Sequence, residues 1–229
     1  MKKWLPLFII ILLMVVAYFM GLPKYLTFES IKMHREALLA QIETRPVLMP
    51  VLFILLYIVV VSLSLPGGTA LTLLGGFFFK IPWGAIYVII GATIGATIIF
   101  LAARTALGDL LRKKAGPFLK KMEGGFQKNA VSYLLFLRFI PLFPFWLVNI
   151  APAFFNVKTR TYIWTTLVGI IPGSYVYAQA GSGLGAIFEE GKSFSFNSIF
   201  NTQMNIALAL LALFSLIPIL VKKLRHDRQ

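Results

Sequence analysis

The sequence predicts an all-α polytopic membrane protein with about four spanning helices and two opposed re-entrant hairpins that form an inverted repeat. Three observations carry that expectation. Hydrophobic residues make up 59% of the 229-residue chain and charged residues only 13%, against roughly 25% charged in a soluble domain. Two of the long apolar runs are broken by proline and glycine, which hydrocarbon tolerates only where the broken backbone is buried in protein or lines a cavity. The basic residues collect in polar segments beside the runs, where orientation signals belong.

Residues 1–46 form the first unit. After Lys2 and Lys3, residues 4–22 are apolar and about long enough for a bilayer core. The run also resembles a secretory signal, but it is long for one, and "VVAYFMGLP" offers no clean small-x-small cleavage site. A retained span is the reading taken, with cleavage left open. In residues 23–45, Phe28, Ile31, Leu38, Leu39 and Ile42 recur near helical spacing, and Ser30 is placed to cap the start. This predicts an amphipathic helix on the membrane surface or, equally, a solvated linker helix.

Residues 47–185 are the expected membrane domain. Residues 47–79 are apolar, but "SLPGGTALTLLGGFFF" sets Pro66, Gly67 and Gly68 in their middle. A helix that enters, turns at that trio and leaves on the same side fits better than a clean span. Phe77, Phe78 and Phe79 read as packing residues. Residues 82–103 read as a conventional span closed by Arg104. The basic segment "RTALGDLLRKKAGPFLKKMEGGFQKN" follows. Residues 129–156 are the second interrupted run. They contain "LLFLRFIPLFPFWLVN", which carries Arg138, Pro141, Pro144 and Asn149. Residues 162–180 read as another span and "GSGLGAIFEEGKSFSFN" as a loop. The last unit, residues 186–229, ends with a span over 200–221 and the tail "KKLRHDRQ". Trp4, Trp83 and Trp164, near span ends, look like interface anchors.

The cations set an orientation. Arg104, Arg112, Lys113, Lys114, Lys120, Lys121 and Lys128 mark a cytoplasmic segment, and Lys222, Lys223, Arg225 and Arg228 mark another. Lys2 and Lys3 place the N-terminus inside as well. Four true spans satisfy all three marks. The first interrupted run then dips from outside and the second from the cytoplasm. Lys158 and Arg160 read as further orientation charges. The expected location is a bacterial plasma membrane with both termini cytoplasmic.

A shift of 78 residues aligns Pro66 with Pro144, Phe77 with Phe155 and Lys80 with Lys158. It also aligns Gly91 and Gly95 with Gly169 and Gly173. Repeat 1 is about 47–104 and repeat 2 about 129–182. Such glycines allow close helix approach. Repeats that dip from opposite faces are the arrangement of many transporters, with broken helices meeting near the midplane.

These residues resemble the DedA superfamily, in its SNARE-associated Golgi protein or VTT-domain branch. The anchor is Arg-x-x-Pro-x-x-Pro-x-x-x-x-Asn, here Arg138, Pro141, Pro144 and Asn149. "GIIPGSYVYAQAG" adds Gly169, Pro172 and Gly173, and "GATIGATIIFLAAR" adds Gly91, Gly95, Phe100 and Arg104. The resemblance implies two opposed re-entrant hairpins and a role in moving lipids or lipid-linked phosphates between leaflets, proton-coupled in some relatives. Relatives typically carry Glu after Pro-Gly, where this chain has Gly68. All eight acidic residues fall outside the predicted membrane segments, which argues against coupling through a buried carboxylate.

The chemistry of the candidate site follows from charge. An arginine within a membrane faces a protein interior or a wet cavity. With no intramembrane carboxylate on offer, Arg138 is expected to pair with backbone carbonyls, water or an anion. A phosphate head group suits its bidentate fork. Pro141 and Pro144 free carbonyls that Asn149 can satisfy. The structural alternatives are that Arg138 snorkels to the interface and that Asn149 only caps the hairpin. Arg104 is a further candidate contact, or an interfacial charge that ends a span.

The net charge of +14 sits beside hydrophobic runs and is read as membrane orientation, not nucleic-acid binding. There is no cysteine, and His34 and His226 both lie in polar flanks. No metal site, catalytic triad or cofactor is expected, and no nucleophile–base pair supports an enzyme. The expected partners are membrane lipids with anionic or zwitterionic phosphate head groups, with homo-oligomerisation left open. Two function classes remain: a transporter or scramblase for such lipids, and a non-transporting membrane-organising or assembly factor.

Overall fold

The computed structural model describes residues 28–65, 67–114, 117–139, 145–155 and 157–189. The expected spans over 4–22 and 200–221, and the hairpin-tip prolines Pro66, Pro141 and Pro144, lie outside the described residues. Every element among those described is helical.

Helix α1 (Phe28–Thr44) meets α2 (Leu48–Ser62) at a bend of 118°. Ser30, expected to cap α1, lies inside it, because the helix already includes Phe28 and Glu29. Helix α2 is stopped by its own backbone. Leu65 N–H reaches Val60 O and Ser64 N–H reaches Val61 O, both at 3.0 Å, with Ser64 at φ 51°. This is the paired bonding of a Schellman stop, with serine in the left-handed place that glycine usually fills. Helix α3 (Gly68–Phe79) then runs back along α2. The Tyr57 hydroxyl lies 2.9 Å from Thr72 Oγ1, and the Phe53 and Phe79 rings lie 5.2 Å apart. The inner pair is nested within the outer one, so the two helices form an antiparallel hairpin.

Helix α4 (Trp83–Lys114) contains a 23-residue apolar stretch, Trp83–Thr105, long enough to cross a bilayer. It does not stop at Arg104 as expected but continues to Lys114. Charge ends the apolar stretch, yet Ala106, Leu107, Leu110, Leu111 and Arg112 are good helix formers, and no proline follows until Pro117. Ile86, Ile90, Ile94 and Ile98 form an exposed apolar stripe along α4, while Val88, Ala92, Ala96 and Phe100 are buried. An outward stripe of large aliphatic residues is what a lipid-facing helix requires. On the inner face α2 approaches closely. An added Cβ at Gly91 would lie 2.8 Å from Tyr57 Cβ, and one at Gly95 2.8 Å from Val61 Cβ.

Helix α5 (Pro117–Phe139) bends at Asn129, whose φ −161° and ψ 84° leave the helical region. Asn129 Oδ1 accepts the Ser132 N–H at 3.2 Å, so a new helix starts there under a side-chain cap. The chain returns through α6 (Phe145–Ile150) and a 3-10 turn (Ala151–Phe154). Arg138 bonds Asn149, and the Phe126 and Phe155 rings stack at 4.7 Å. These nested pairs define a second antiparallel hairpin.

Helix α7 (Thr159–Glu189) runs through the buried Pro172. Gly181 to Glu189, read from sequence as the start of a loop, are helical. Their glycines serve packing. A Cβ at Gly181 would overlap the Leu73 carbonyl, and one at Gly76 would overlap that of Ala178, so α3 and α7 touch backbone to backbone. Helices α4 and α7 run antiparallel: Arg104 reaches Val157 O at 3.3 Å, while Tyr162 reaches Ala96 O at 3.2 Å. The packing is exchanged between the halves, with α3 on α7, and α6 and the 3-10 turn on α4.

Candidate functional site: a polar node between two helical hairpins

Tyr162, Thr166 and Gly169 fall on one face of α7, three and four residues apart. The face is built for Arg138. Gly169 leaves room for the arginine stem, since a Cβ there would lie 2.7 Å from Arg138 Cβ and 3.0 Å from Cγ. Beyond the stem, the guanidinium meets three neutral oxygens. Nη1 donates to Asn149 Oδ1 at 2.7 Å, and Nη2 donates to the Tyr162 hydroxyl and to Thr166 Oγ1, both at 2.9 Å. Arg138 Cζ also stands 5.5 Å from the Tyr162 ring centroid, within cation–π range.

Tyr162 is fully buried and its ring stacks on Phe100 at 4.1 Å and 9°. Its hydroxyl faces two well-placed acceptors, Ala96 O and Asn149 Oδ1, both at 3.2 Å. Asn149 is likewise fully buried. Two buried donors, Arg138 Nε and Asn149 Nδ2, have no hydrogen-bond partner among the described residues. A buried donor left unpaired costs about 1–3 kcal/mol, so each invites an acceptor.

The node sits deep. Ser62 Oγ, at the end of the first hairpin's α2, donates to Gly95 O at 3.4 Å, one residue from the carbonyl that Tyr162 reaches. The first hairpin and Tyr162 of α7 therefore converge on the same turn of α4. Ala96 lies near the middle of the apolar stretch Trp83–Thr105, about 20 Å along the helix from Trp83 and about 13 Å from Thr105.

Among the residues singled out from sequence, the structure brings Arg138 and Asn149 together. The partners expected for Arg138 were backbone carbonyls, water or an anion. The three it makes are side-chain oxygens, because α7 crosses the hairpin at its polar limb. Arg104 is elsewhere. It is exposed, about 12 Å along α4 from Ala96, and donates to Val157 O and, at 3.2 Å, to Thr159 Oγ1. Gly68 O accepts from Thr72 Oγ1 at 2.7 Å, and Gly67 is extended at φ −179°. Gly91, Gly95 and Gly169 lie at close approaches. Gly173 does not, since an added Cβ meets nothing within 4 Å. Under the 78-residue shift Gly173 answers to Gly95, and Gly95's neighbour Val61 answers to Phe139, the last residue of α5. Trp83 and Trp164 are exposed, as interface anchors would be.

Tyr162 and Thr166 went unnoticed in the sequence. Their signal was there, as two hydroxyls four residues apart and a glycine three further on, within an apolar helix.

Among the described residues the fold and node define an all-helical protein with a membrane-length apolar helix and a cationic polar site between two helical hairpins. Residues 65–183 match the model of the VTT domain, and the chain belongs to the VTT-domain family of the DedA and SNARE-associated Golgi proteins. It is 30% identical over 173 residues to "Transmembrane protein 41 homolog" of Caenorhabditis elegans, covering 74% of this chain and 68% of that one. It is 29% identical over 171 residues to "Transmembrane protein 41B" of Rattus norvegicus and of Homo sapiens, covering 73% of this chain and 56% of each. The chain thus spans little more than half the length of those two relatives. No solved structure matches it.

Proposed function

We propose that this protein moves phosphate-bearing lipids or lipid-linked phosphates between leaflets, and that Arg138 is the head-group contact. The observation that carries this reading is the electrostatic imbalance of the node. Among the described residues, a permanent cation in an apolar helix cluster is hydrogen-bonded by three neutral oxygens, beside two buried donors that find no acceptor there. A phosphate would supply the charge through the guanidinium fork and the acceptors through its oxygens. The two hairpins are read as re-entrant loops dipping from opposite faces, an inverted repeat around α4 and α7. The antiparallel course of those helices and the exchanged packing support this. The basic segment over 104–128 is placed in the cytoplasm, with both termini, by the cation rule. A bacterial plasma membrane is part of the proposal only, since the relatives named above are animal proteins. The 118° bend between α1 and α2 supports a surface-lying α1.

A second reading, a non-transporting organising or assembly factor, draws on the same hydrogen bonds. Arg138 makes three of them to protein oxygens and so can pin the second hairpin to α7. Purified protein in liposomes, assayed for leaflet exchange of labelled lipids with and without a pH gradient, separates the two. Arg138→Gln should insert and fold but lose most exchange, and Arg138→Lys should keep only part, because lysine lacks the planar fork. Normal exchange by folded Arg138→Gln refutes the ligand role. Aggregation of that variant supports the pinning role instead.

A further inference from the structure

The Tyr162 hydroxyl has one proton and two acceptors at the same distance, Ala96 O on α4 and Asn149 Oδ1 on α6, each at 3.2 Å, with the Asn149 carbonyl farther off at 3.5 Å. Its oxygen meanwhile accepts from Arg138 Nη2 at 2.9 Å. The ring cannot swing away, being fully buried and stacked on Phe100 at 4.1 Å. The atom is therefore fixed in place while its proton has a choice, and the choice is set by Arg138. In the structure each acceptor already holds one other donor, Asn149 Oδ1 from Arg138 Nη1 at 2.7 Å and Ala96 O from its own helix, so the two compete evenly for the Tyr162 proton.

We infer that Tyr162 is a positioning residue that reports capture of a phosphate group at Arg138 to helix α4. The inference rests on the phosphate reading above. When Nη1 and Nη2 turn to two phosphate oxygens, Asn149 Oδ1 loses its donor and the Tyr162 oxygen loses one as well. Tyr162 then gives its proton to Asn149 Oδ1 and leaves Ala96 O with only its intrahelical bond. Thr166 also accepts from Nη2 at 2.9 Å, but no hydrogen bond links it to α4 among the described residues. Occupancy of the node thus changes one cross-link between α4 and α7, and among the described residues Tyr162 is the side chain whose hydrogen bonds join the two events.

The carbonyl of Ala96 can be watched directly. Ala92–Thr93 and Ala96–Thr97 are the only two Ala–Thr pairs in the chain. Protein labelled with 13C-carbonyl alanine and 15N threonine gives one signal from each, and Ala92, one turn away, is the internal control. The probe is dihexanoyl phosphatidic acid, titrated into wild type, Tyr162→Phe and Thr166→Val in detergent, with binding measured by calorimetry in parallel. In wild type and in Thr166→Val the Ala96 carbonyl signal should move with occupancy while that of Ala92 stays. Tyr162→Phe keeps the stacked ring and should bind the probe about two- to tenfold more tightly, the worth of one competing hydrogen bond, with the Ala96 response lost. A purely structural role for Tyr162 would weaken binding and leave any Ala96 response in place. Wild type that binds the probe with no Ala96 shift overturns the coupling and leaves the phosphate site standing. Wild type that does not bind the probe at all overturns both.

Discussion

Gly169 offers a direct test of how the node is built. Gly169→Ala places a methyl group 2.7 Å from Arg138 Cβ and 3.0 Å from Cγ, where carbon atoms rest at about 3.5–4.0 Å. Something must move by about 0.8 Å to restore that separation. Arg138 has little slack, because hydrogen bonds of 2.7, 2.9 and 2.9 Å hold its far end. Overpacking of this kind costs about 1–3 kcal/mol, and a strained hydrogen bond from a charged group adds about 1.5–3 kcal/mol if it breaks. A net loss of about 2–4 kcal/mol is expected, with partial breakage of the contacts to Asn149 and Thr166. Gly173→Ala is the matched control, four residues along the same helix with nothing within 4 Å of its Cβ. It should be neutral or gain up to about 1 kcal/mol from helix propensity. The assay is thermal unfolding of both variants in one detergent. Equal effects at the two glycines would refute the claim that Arg138 is seated against Gly169.

Ser64→Gly should raise the melting temperature, because it removes a non-glycine residue from φ 51°, a placement that costs about 1–2 kcal/mol before glycine's greater freedom in the unfolded chain is subtracted. Gly76→Ala should abolish the folded protein, since its Cβ would overlap the Ala178 carbonyl, whereas Gly67→Ala, whose nearest neighbour is 3.8 Å away, should express and fold. The chain lacks cysteine, so single-cysteine labelling reads topology cleanly. A cysteine at Lys121 should label only from the cytoplasmic side and one at Ser195 only from outside. The reverse pattern would overturn the orientation drawn from the cations.

The parts of the fold legible in the sequence were those that break a pattern. Pro66 to Gly68 interrupts an apolar run, and the chain does turn back beside it. The charged Arg138 and the amide of Asn149 stand out in hydrocarbon-like sequence, and they do meet. What stayed hidden depended on distant packing. Tyr162 and Thr166 look ordinary because a transmembrane helix tolerates an occasional hydroxyl, and only the approach of α5 makes them partners. Gly181 and Gly185 read as loop residues because glycine is usually flexible, yet α3 lies against them, so closely at Gly181 that no side chain fits and at 3.1 Å from an added Cβ at Gly185. Arg104 marked the end of an apolar stretch, which is a membrane property. The helix itself ended later, because backbone propensity takes no account of the membrane boundary.

The proposed repeat sharpens what the polar node means. The 78-residue shift carries Arg138 onto Val60, Asn149 onto Leu71, Tyr162 onto Gly84 and Thr166 onto Val88. The three side chains among these counterparts are almost wholly buried, with exposures of 1%, 1% and 0%. One half of the protein therefore holds a charged, donor-rich node where the other holds a dry apolar plug. The first hairpin has a polar cluster of its own, Tyr57 with Thr72, but the shift maps these onto Leu135 and Ile150, so it is not an equivalent site. A duplicated frame with its chemistry in one copy cannot pass a head group from one site to its twin. If lipids cross here, the single node must be reached from both leaflets, and access must change around Arg138 while Arg138 stays at mid-span. The elements able to change that access are the end of α2, which bonds Gly95 O, and the limb holding Asn149, which Tyr162 links to Ala96 O. The closely locked crossing of α3 with α7 would then serve as the fixed frame against which they move.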